Sequence, residues 1–438
     1  MKFIRPRNVG LLTLATTALY SASAFAQAPA AAPVADKGDT AWMMVSTVFV
    51  LLMIVPGLAL FYGGLVRSKN MLSVLTQVLA VACISMILWV IYGYSLAFTG
   101  GSAYLGDFSK AFLSGVTKET VNDGGTIPEY VFFAFQMTFA AITPALAIGA
   151  FVERMKFSAV LLFSILWVTC VYYPLAHMVW QSDGYLFKLG ALDFAGGTVV
   201  HINAGIAGLV GALVVGKRVG FGKEIMSPHS LTLTFTGASL LWIGWFGFNA
   251  GSALSANAVA ALALVNTLLA TAAAGLGWML IEWMVKGKPS LLGTVSGVIA
   301  GLVAITPAAG LVGPIGGIVL GAVGGVVSFF FCTTVKNAFG YDDTADVFGV
   351  HGIAGIVGSI GTGIFVSSSL GGVGVDNYDL MTQLWDQCVA VMVAIVWCGV
   401  ISAIIFKLID LTIGLRVPVD AEREGLDITD HGERAYNM

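Results

Sequence analysis

The hydrophobic residues of the chain are concentrated in eleven apolar runs, and a membrane-spanning helix needs about 20 such residues. The runs cover residues 42–65, 71–99, 129–152, 157–178, 198–215, 229–250, 256–285, 291–308, 312–334, 345–366 and 385–414. Short polar segments separate them. This pattern predicts an all-α integral membrane protein with eleven transmembrane helices.

Composition indicates that lipid is the main solvent of the chain. Hydrophobic residues make up 58% of the 438 residues and charged residues only 10%, which a water-soluble core of this length cannot bury. The 54 glycines suit helices that pack closely over small residues in a membrane. The net charge of −3 argues against a nucleic-acid partner.

The first residues are typical of a secretory signal peptide. Three basic residues precede an apolar stretch from Val9 to Tyr20, and Ala24-Phe25-Ala26 matches a cleavage site. The alternative is a twelfth membrane helix, for which this stretch is short. We therefore predict a cleaved signal peptide over residues 1–26, an outward-facing mature N-terminus and a membrane domain over residues 27–415.

The basic residues indicate the orientation of the spans. With the N-terminus outside, fourteen of the 21 Lys and Arg residues fall in inside segments, and four fall outside. The four outside residues are Lys37, Lys110, Lys118 and Lys188. This excess follows the positive-inside rule. It predicts a multi-pass protein of the bacterial inner membrane whose tail, residues 416–438, lies in the cytoplasm.

Two segments of the chain repeat each other. His201 to Gly208 reads HINAGIAG, and His351 to Gly358 reads HGIAGIVG. They open the fifth and the tenth span, and a separation of five spans reverses the direction of the helix in the membrane. The match therefore predicts an inverted repeat of spans 1–5 and 6–10 plus one extra helix. Such repeats place equivalent residues near the bilayer midplane, so we expect the two histidines to meet there.

Paired histidines inside a membrane are candidates for a pore, although they could also join two helices by hydrogen bonding. Neutral imidazole has one donor and one acceptor nitrogen, so a pair can bind a small polar solute such as ammonia. Potassium is similar in size to ammonium but has no proton to give up, and an apolar pore would strip its water without replacement.

A metal site is the other interpretation of paired histidines. No carboxylate or thiol stands at ligand spacing beside them, and the five cysteines form no CxxC pair. Four nearby acids precede helices and are better explained as helix caps. They are Asp193, Asp342, Asp343 and Asp346. We therefore expect no metal, no other cofactor and no enzymatic activity.

Three motifs resemble the bacterial Amt branch of the Amt/Mep/Rh ammonium transporter family. They are ALDFAGGTVVHINA from Ala191, IGWFGFNAGS from Ile243 and DVFGVHG from Asp346. The resemblance covers essentially the whole mature chain. It implies transport of ammonium or ammonia, with methylammonium as a further candidate substrate, by a homotrimer with one pore in each subunit. It also identifies His201 and His351 with the family's twin-histidine motif.

The resemblance further implies the residues of an ammonium path. Phe139, Trp180 and Ser252 match the family's outer binding site, where aromatic faces attract a cation and a hydroxyl oxygen accepts one of its hydrogen bonds. Phe139 and Phe248 match a hydrophobic gate. Phe135 and Trp245 match pore positions. Asp193 matches an aspartate near the outer site, for which we favour structural capping over direct ligation. The segment Ser328–Cys332 lacks a tryptophan expected in relatives.

The tail after Arg416 resembles a regulatory region that couples the subunits, and the resemblance implies a PII-type signalling protein as its cytoplasmic partner. Alternatives to transport remain open on the sequence. One is an ammonium sensor with slow flux, and another is a passive ammonia channel of the Rhesus type. The same residues suit electrogenic ammonium uptake and passive ammonia flow equally well.

Overall fold

The computed structural model describes residues 34–436, and its regular secondary structure there consists of helices. The eleven helices that correspond to the predicted runs are α1 (Lys37–Leu65), α2 (Ser68–Phe98), α3 (Glu129–Ile148), α4 (Phe157–Leu189), α5 (Gly197–Val215), α6 (Leu231–Gly251), α7 (Ala258–Lys286), α8 (Leu291–Ile305), α9 (Pro314–Phe339), α10 (Phe348–Phe365) and α11 (Leu380–Thr412). Two short helices follow, α12 (Val419–Glu424) and α13 (Leu426–His431). The predicted signal peptide lies outside the described residues.

The predicted all-α membrane bundle is confirmed. Among the described residues, ten helices are long and apolar enough to cross a membrane. The remaining helix of the eleven, α8, has 15 residues and reaches only about 22 Å at 1.5 Å per residue. After Ile305 the chain turns rather than continuing the helix.

Polar residues begin several of these helices. The N-cap side chains of α1, α6, α7, α8 and α11 each accept a backbone N–H of the first turn; they are Asp36, Ser230, Asn257, Ser290 and Asp379. A side-chain oxygen at this position satisfies a donor that the helix itself leaves free. The caps therefore fix where the polar loops end and the apolar helices begin.

Glycines allow the helices to pack at close range. On α9, Gly321 and Gly325 face Ala270 and Ala274 of α7. A Cβ atom at Gly325 would lie 2.5 Å from the carbonyl oxygen of Ala274. Such small-residue contacts replace the hydrophobic drive that is missing in lipid.

A buried ion network closes one end of the bundle. Arg218, after α5, binds Glu153, after α3, and Asp342, before α10, and both carboxylates are fully buried. Burial alone would raise the pKa of Glu153, but Arg218 and Arg67 outweigh it and hold that pKa below its usual value. The network ties together the loops at this end of the bundle.

The C-terminal tail packs against the same end, which we call the tail end. Glu422 of α12 binds Arg416 at 2.7 Å and accepts the backbone N–H of Val219 at 2.6 Å. Asp427 of α13 accepts the backbone N–H of Ser73 at 2.8 Å. The tail is therefore an ordered part of the bundle up to Tyr436, and the opposite end is called the far end.

Candidate functional site

A cavity of about 330 Å³ opens at the far end of the bundle. Its lining includes Phe139 from α3, Trp180 from α4 and Ser252, which follows α6. The structure thus brings together the three residues that the family resemblance implied for an outer site. They come from separate helices, so the site depends on the packing of the bundle.

Hydrogen bonds orient the polar groups of this cavity. The Trp180 Nε1–H donates to the carbonyl oxygen of Asp193 at 3.0 Å, and its ring stands edge-on to Phe139 with centroids 5.9 Å apart. The Ser252 hydroxyl donates to the carbonyl oxygen of Phe248 at 2.8 Å. Since its proton is used there, the oxygen of Ser252 is left to accept a hydrogen bond from a solute.

Stacked aromatic rings close the bottom of the cavity. Phe139 and Phe248 lie face to face with centroids 4.1 Å apart and an interplanar angle of 15°. Phe135 lies one helical turn from Phe139, with centroids 4.9 Å apart. All three rings are buried. They form an apolar constriction on the tail-end side of the cavity.

The two histidines follow directly on this constriction. The rings of His201 and Phe248 have centroids 5.8 Å apart, and His201 stacks on Trp245 at 5.3 Å. His201 and His351 are nearly parallel, with their Nδ1 atoms 3.3 Å apart. Both side chains are buried. The predicted meeting of the two histidines is therefore present in the structure.

The Nδ1 contact assigns different roles to the two imidazoles. In a neutral pair, one Nδ1–H donates a hydrogen bond and the other Nδ1 accepts it. The two Nε2 atoms then also differ, because one carries a proton and the other carries a lone pair. Among residues 34–436, the Nε2 of His201 has no hydrogen-bond partner. A solute with both donors and acceptors fits such a pair better than an ion with neither.

Helices α5 and α10 present these histidines in the same way. Each helix begins with a wide π-helical turn, Gly197–Ile202 in α5 and Phe348–Ile353 in α10, that contains the histidine. Where the two helices cross, Gly205 faces Gly352, and a Cβ at Gly205 would collide with the backbone of Gly352. Glycine at this crossing is what lets the two histidine-bearing helices approach.

Asp193 holds the start of α5. Its carboxylate accepts four backbone N–H groups, those of residues 196 to 199, at 2.6 to 3.1 Å. Burial raises the pKa of Asp193 to about 6, although these four donors oppose the rise. Both carboxylate oxygens are engaged by these N–H groups, and this geometry is that of a helix cap.

Asp343 is the counterpart of Asp193 at the tail end. It precedes His351 by the same eight residues, and its carboxylate accepts the N–H groups of Val347 and Phe348 at 3.0 and 2.8 Å. Burial raises its pKa to about 6. This pair was missed in the sequence, although the separation of 150 residues that relates the histidines also relates the aspartates.

The capping hypothesis is wrong for the other two acids. Asp342 binds Arg218 through both carboxylate oxygens, and Asp346 binds Lys336 at 2.7 Å. Among residues 34–436, no group of three or more His, Cys, Asp or Glu side chains is placed to hold a metal ion.

The segment that departs from the family pattern packs against the start of α10. Phe331 stands edge-on to Phe348 with centroids 6.1 Å apart, and the Sγ of Cys332 contacts Gly349. Its side chains therefore border the histidine-bearing helix on its tail-end side.

Comparison with known proteins agrees with this architecture. The model of the Ammonium Transporter Family matches residues 41–436. An ammonium transporter of Bacillus subtilis is 49% identical, covering 92% of this chain and 99% of the relative. The crystal structure of Candida albicans Mep2 superposes with a TM-score of 0.81 at 37% identity, covering 88% of this chain and 87% of Mep2.

A solved structure titled Sensor Amt Protein is also similar. It has a TM-score of 0.83 at 27% identity and covers 90% of this chain and 98% of that protein. The family match spans nearly all of the described chain, and the Bacillus relative is matched over almost its whole length. This chain therefore belongs to the ammonium transporter family and transports ammonium or ammonia across a membrane.

Proposed function

We propose that this protein binds ammonium at the far-end cavity, removes its proton at the aromatic constriction and conducts ammonia past the two histidines. The observation that carries this proposal is the unbroken file of contacts from Trp180 through Phe139 and Phe248 to His201 and His351. Each neighbouring pair in the file has ring centroids within 6 Å.

The outer site suits an ammonium cation. Trp180 and Phe139 offer aromatic faces and edges, and cations bind favourably over such faces. The Ser252 oxygen accepts one ammonium N–H. Asp193 contributes its negative charge at short range without ligating the cation, because its oxygens are already engaged by backbone N–H groups.

The constriction separates ammonium from other cations. The stacked rings of Phe139 and Phe248 supply no ligand that could replace the water around an ion, and an ion stripped of water there is strongly destabilised. Ammonium avoids this cost by passing its proton to water in the far-end cavity; the nitrogen then enters as ammonia, and the proton crosses by a separate route. Potassium has no equivalent step, so the constriction excludes it.

Below the constriction, the histidines replace the hydrogen bonds that ammonia loses on leaving water. One imidazole donates and the other accepts, which matches the donors and lone pair of ammonia. Trp245 holds the His201 ring by stacking, and its Nε1–H is fixed by the Thr306 hydroxyl at 2.9 Å. The pair is thereby positioned without a charged group in the path.

Currents from proteoliposomes on a solid-supported membrane test this mechanism. Rapid ammonium jumps on wild-type protein should evoke a saturable current, whereas potassium jumps should not. The double variant His201→Ala/His351→Ala should lose the current or its selectivity. His229→Gln, at a histidine outside the file that binds Val66 and Tyr436, is the matched control and should behave like wild type.

The outcome also separates electrogenic from passive transport. A current shows that the proton crosses with the nitrogen. Silence from intact wild-type protein, together with ammonia-dependent alkalinisation of the liposome interior, would overturn electrogenic transport and leave a passive ammonia channel. An ammonium sensor is favoured by the similarity to the Sensor Amt Protein, and it predicts saturable ammonium binding with slow flux in both assays.

We further propose the cellular arrangement that the sequence implies. The protein is a homotrimer of the bacterial inner membrane, with the tail end in the cytoplasm and a PII-type signalling protein as its partner there. The contact of Glu422 with the loop after α5 supports a regulatory role for the tail, because α5 carries His201. Chemical crosslinking in native membranes tests the trimer, and co-purification at defined nucleotide concentrations tests the partner.

A further inference from the structure

A lysine ammonium group occupies a cation site of its own at the rim of the far-end cavity. Lys110 and Tyr94 both line this cavity, together with Phe139 and Trp180. The Lys110 ammonium forms an ion pair with Glu129 and lies 5.8 Å from the centroid of the Tyr94 ring. The proposed transport mechanism does not use these three residues.

Glu129 is a buried carboxylate with few partners. Its side chain is only 5% exposed, whereas that of Lys110 is 29% exposed. Its Oε1 accepts the Tyr94 hydroxyl at 2.8 Å as well as the lysine. It stands in the first turn of α3, where the positive end of the helix stabilises an anion. An ammonium cation that replaced the lysine would keep this carboxylate paired.

The chemistry around the lysine is that of an ammonium site. A carboxylate accepts N–H bonds and an aromatic face attracts the cation, which is the combination that binds ammonium groups in general. We propose that Glu129 and Tyr94 form a second ammonium-binding station upstream of the Trp180 site, and that Lys110 occupies it as a competing tethered cation. The inference rests on the proposed function of the far-end cavity.

The structure allows the lysine to exchange with a free cation. The backbone N–H of Lys110 donates to the Ser95 hydroxyl at 2.9 Å, so the main chain stays fixed while the side chain can swing. Asp123 lines the same cavity and is exposed, which gives the displaced lysine another carboxylate to approach. Exchange would place an ammonium ion against Glu129, beside the cavity that Tyr94, Lys110 and Phe139 line.

Two substitutions that conserve shape separate this role from simple loop anchoring. Lys110→Gln removes the competing cation and leaves the carboxylate free for ammonium. Glu129→Gln removes the carboxylate but keeps an acceptor for the Tyr94 hydroxyl. If the pair only anchors the loop between α2 and α3, both substitutions loosen the same contact and should change transport in the same direction.

The measurement is the ammonium concentration that gives half-maximal current in proteoliposomes at low ionic strength. We expect Lys110→Gln to lower it by roughly two- to fivefold and Glu129→Gln to raise it by a similar factor, the size typical of one partly exposed charge pair. The double variant should resemble Glu129→Gln. Lys118→Gln is the matched control and should match wild type, because Lys118 is exposed and, within the described part of the chain, pairs only with the neighbouring Glu119.

Opposite shifts of the two single variants support the station. Equal shifts, no shifts, or a higher half-maximal concentration for Lys110→Gln overturn it. If Glu129→Gln fails to fold, the Lys110→Gln result decides alone. Absence of any saturable ammonium current in wild-type protein contradicts the proposed function instead, so the two failures are distinguishable.

Discussion

Replacing Gln387 of α11 with leucine should destabilise the protein more than the same change at Gln383, one turn away on this helix. The side chain is buried, and its amide makes three hydrogen bonds to the backbone of two distant segments. Its Nε2 donates to the carbonyl oxygens of Leu192 and Ser359 at 2.9 and 2.6 Å, and its Oε1 accepts the N–H of Leu192 at 2.6 Å. Leu192 immediately precedes the capping residue of α5.

The magnitude follows from the number of bonds. Each hydrogen bond of this kind contributes about 1 kcal/mol net, so Gln387→Leu should cost about 3 kcal/mol. Gln383 lies one turn away on the same helix and makes a single such bond, from Nε2 to the carbonyl oxygen of Gly190 at 3.0 Å. The matched variant Gln383→Leu should therefore cost only about 1 kcal/mol.

Thermal unfolding of the purified protein in detergent compares the two variants under identical conditions. Gln387→Leu should lower the midpoint clearly more than Gln383→Leu does. Loss of the Leu192 anchor should also raise the half-maximal ammonium concentration, because the carbonyl oxygen of Asp193 orients Trp180. Equal midpoints for the two variants would refute the view that Gln387 fixes the start of α5.

Three further outcomes follow from the geometry. Phe248→Ala removes a ring stacked at 4.1 Å and should raise the current carried by methylammonium relative to ammonium; an unchanged ratio would contradict a gate at this ring. Gly205→Val should abolish the ammonium current, because its side chain would separate α5 from α10 at Gly352, and a wild-type current would count against the crossing. Arg218→Gln leaves two buried carboxylates, Glu153 and Asp342, without their main partner and should cost about 3–5 kcal/mol at pH 7. Because the pKa values of both acids are held below normal in the wild type, their contribution is present above the unfolded-state pKa of about 4 and is lost at lower pH. The gap in thermal midpoint between Arg218→Gln and wild type should therefore narrow as the pH falls below about 4, and a gap that stays constant there would argue against this electrostatic origin.

The number of helices could be predicted from sequence because lipid permits few backbone conformations. Every backbone polar group in the hydrocarbon must be satisfied within its own segment, so long apolar runs become helices. The π-helical turns could not be predicted in this way. Gly197–Ile202 and Phe348–Ile353 are as apolar as regular helix, so the pattern of apolar residues does not distinguish them.

Some pore residues could likewise be found from the sequence, whereas others could not. The histidines could be found from the repeat because histidine is rare in this chain, with five in total. Phe139 and Phe248 are two of 27 phenylalanines, and a ring that faces a pore has the same sequence pattern as one that faces lipid. Only the family resemblance singled them out. Gln387 gave no signal at all, because its partner Leu192 lies 195 residues away.

The two halves of the repeat use different residues for the same backbone turn. Gly196 stands three residues after Asp193 with φ of 107°, and Asp346 stands three residues after Asp343 with φ of 57°. A side chain in this region usually costs about 1–3 kcal/mol, and at Asp346 the ion pair with Lys336 at 2.7 Å offsets part of that cost.

In the first half of the repeat, a side chain at Gly196 does not fit. A Cβ at Gly196 would lie 2.7 Å from a methyl group of Val200 and 3.4 Å from the Trp180 ring. Gly196→Ala should therefore lower the thermal midpoint and raise the half-maximal ammonium concentration. Asp346→Gly loses an ion pair but also relieves the backbone, so it should stay near the wild-type midpoint. If Asp346→Gly were as unstable as Gly196→Ala, backbone strain could not be what distinguishes the two halves, and the ion pair with Lys336 would have to be the larger contribution.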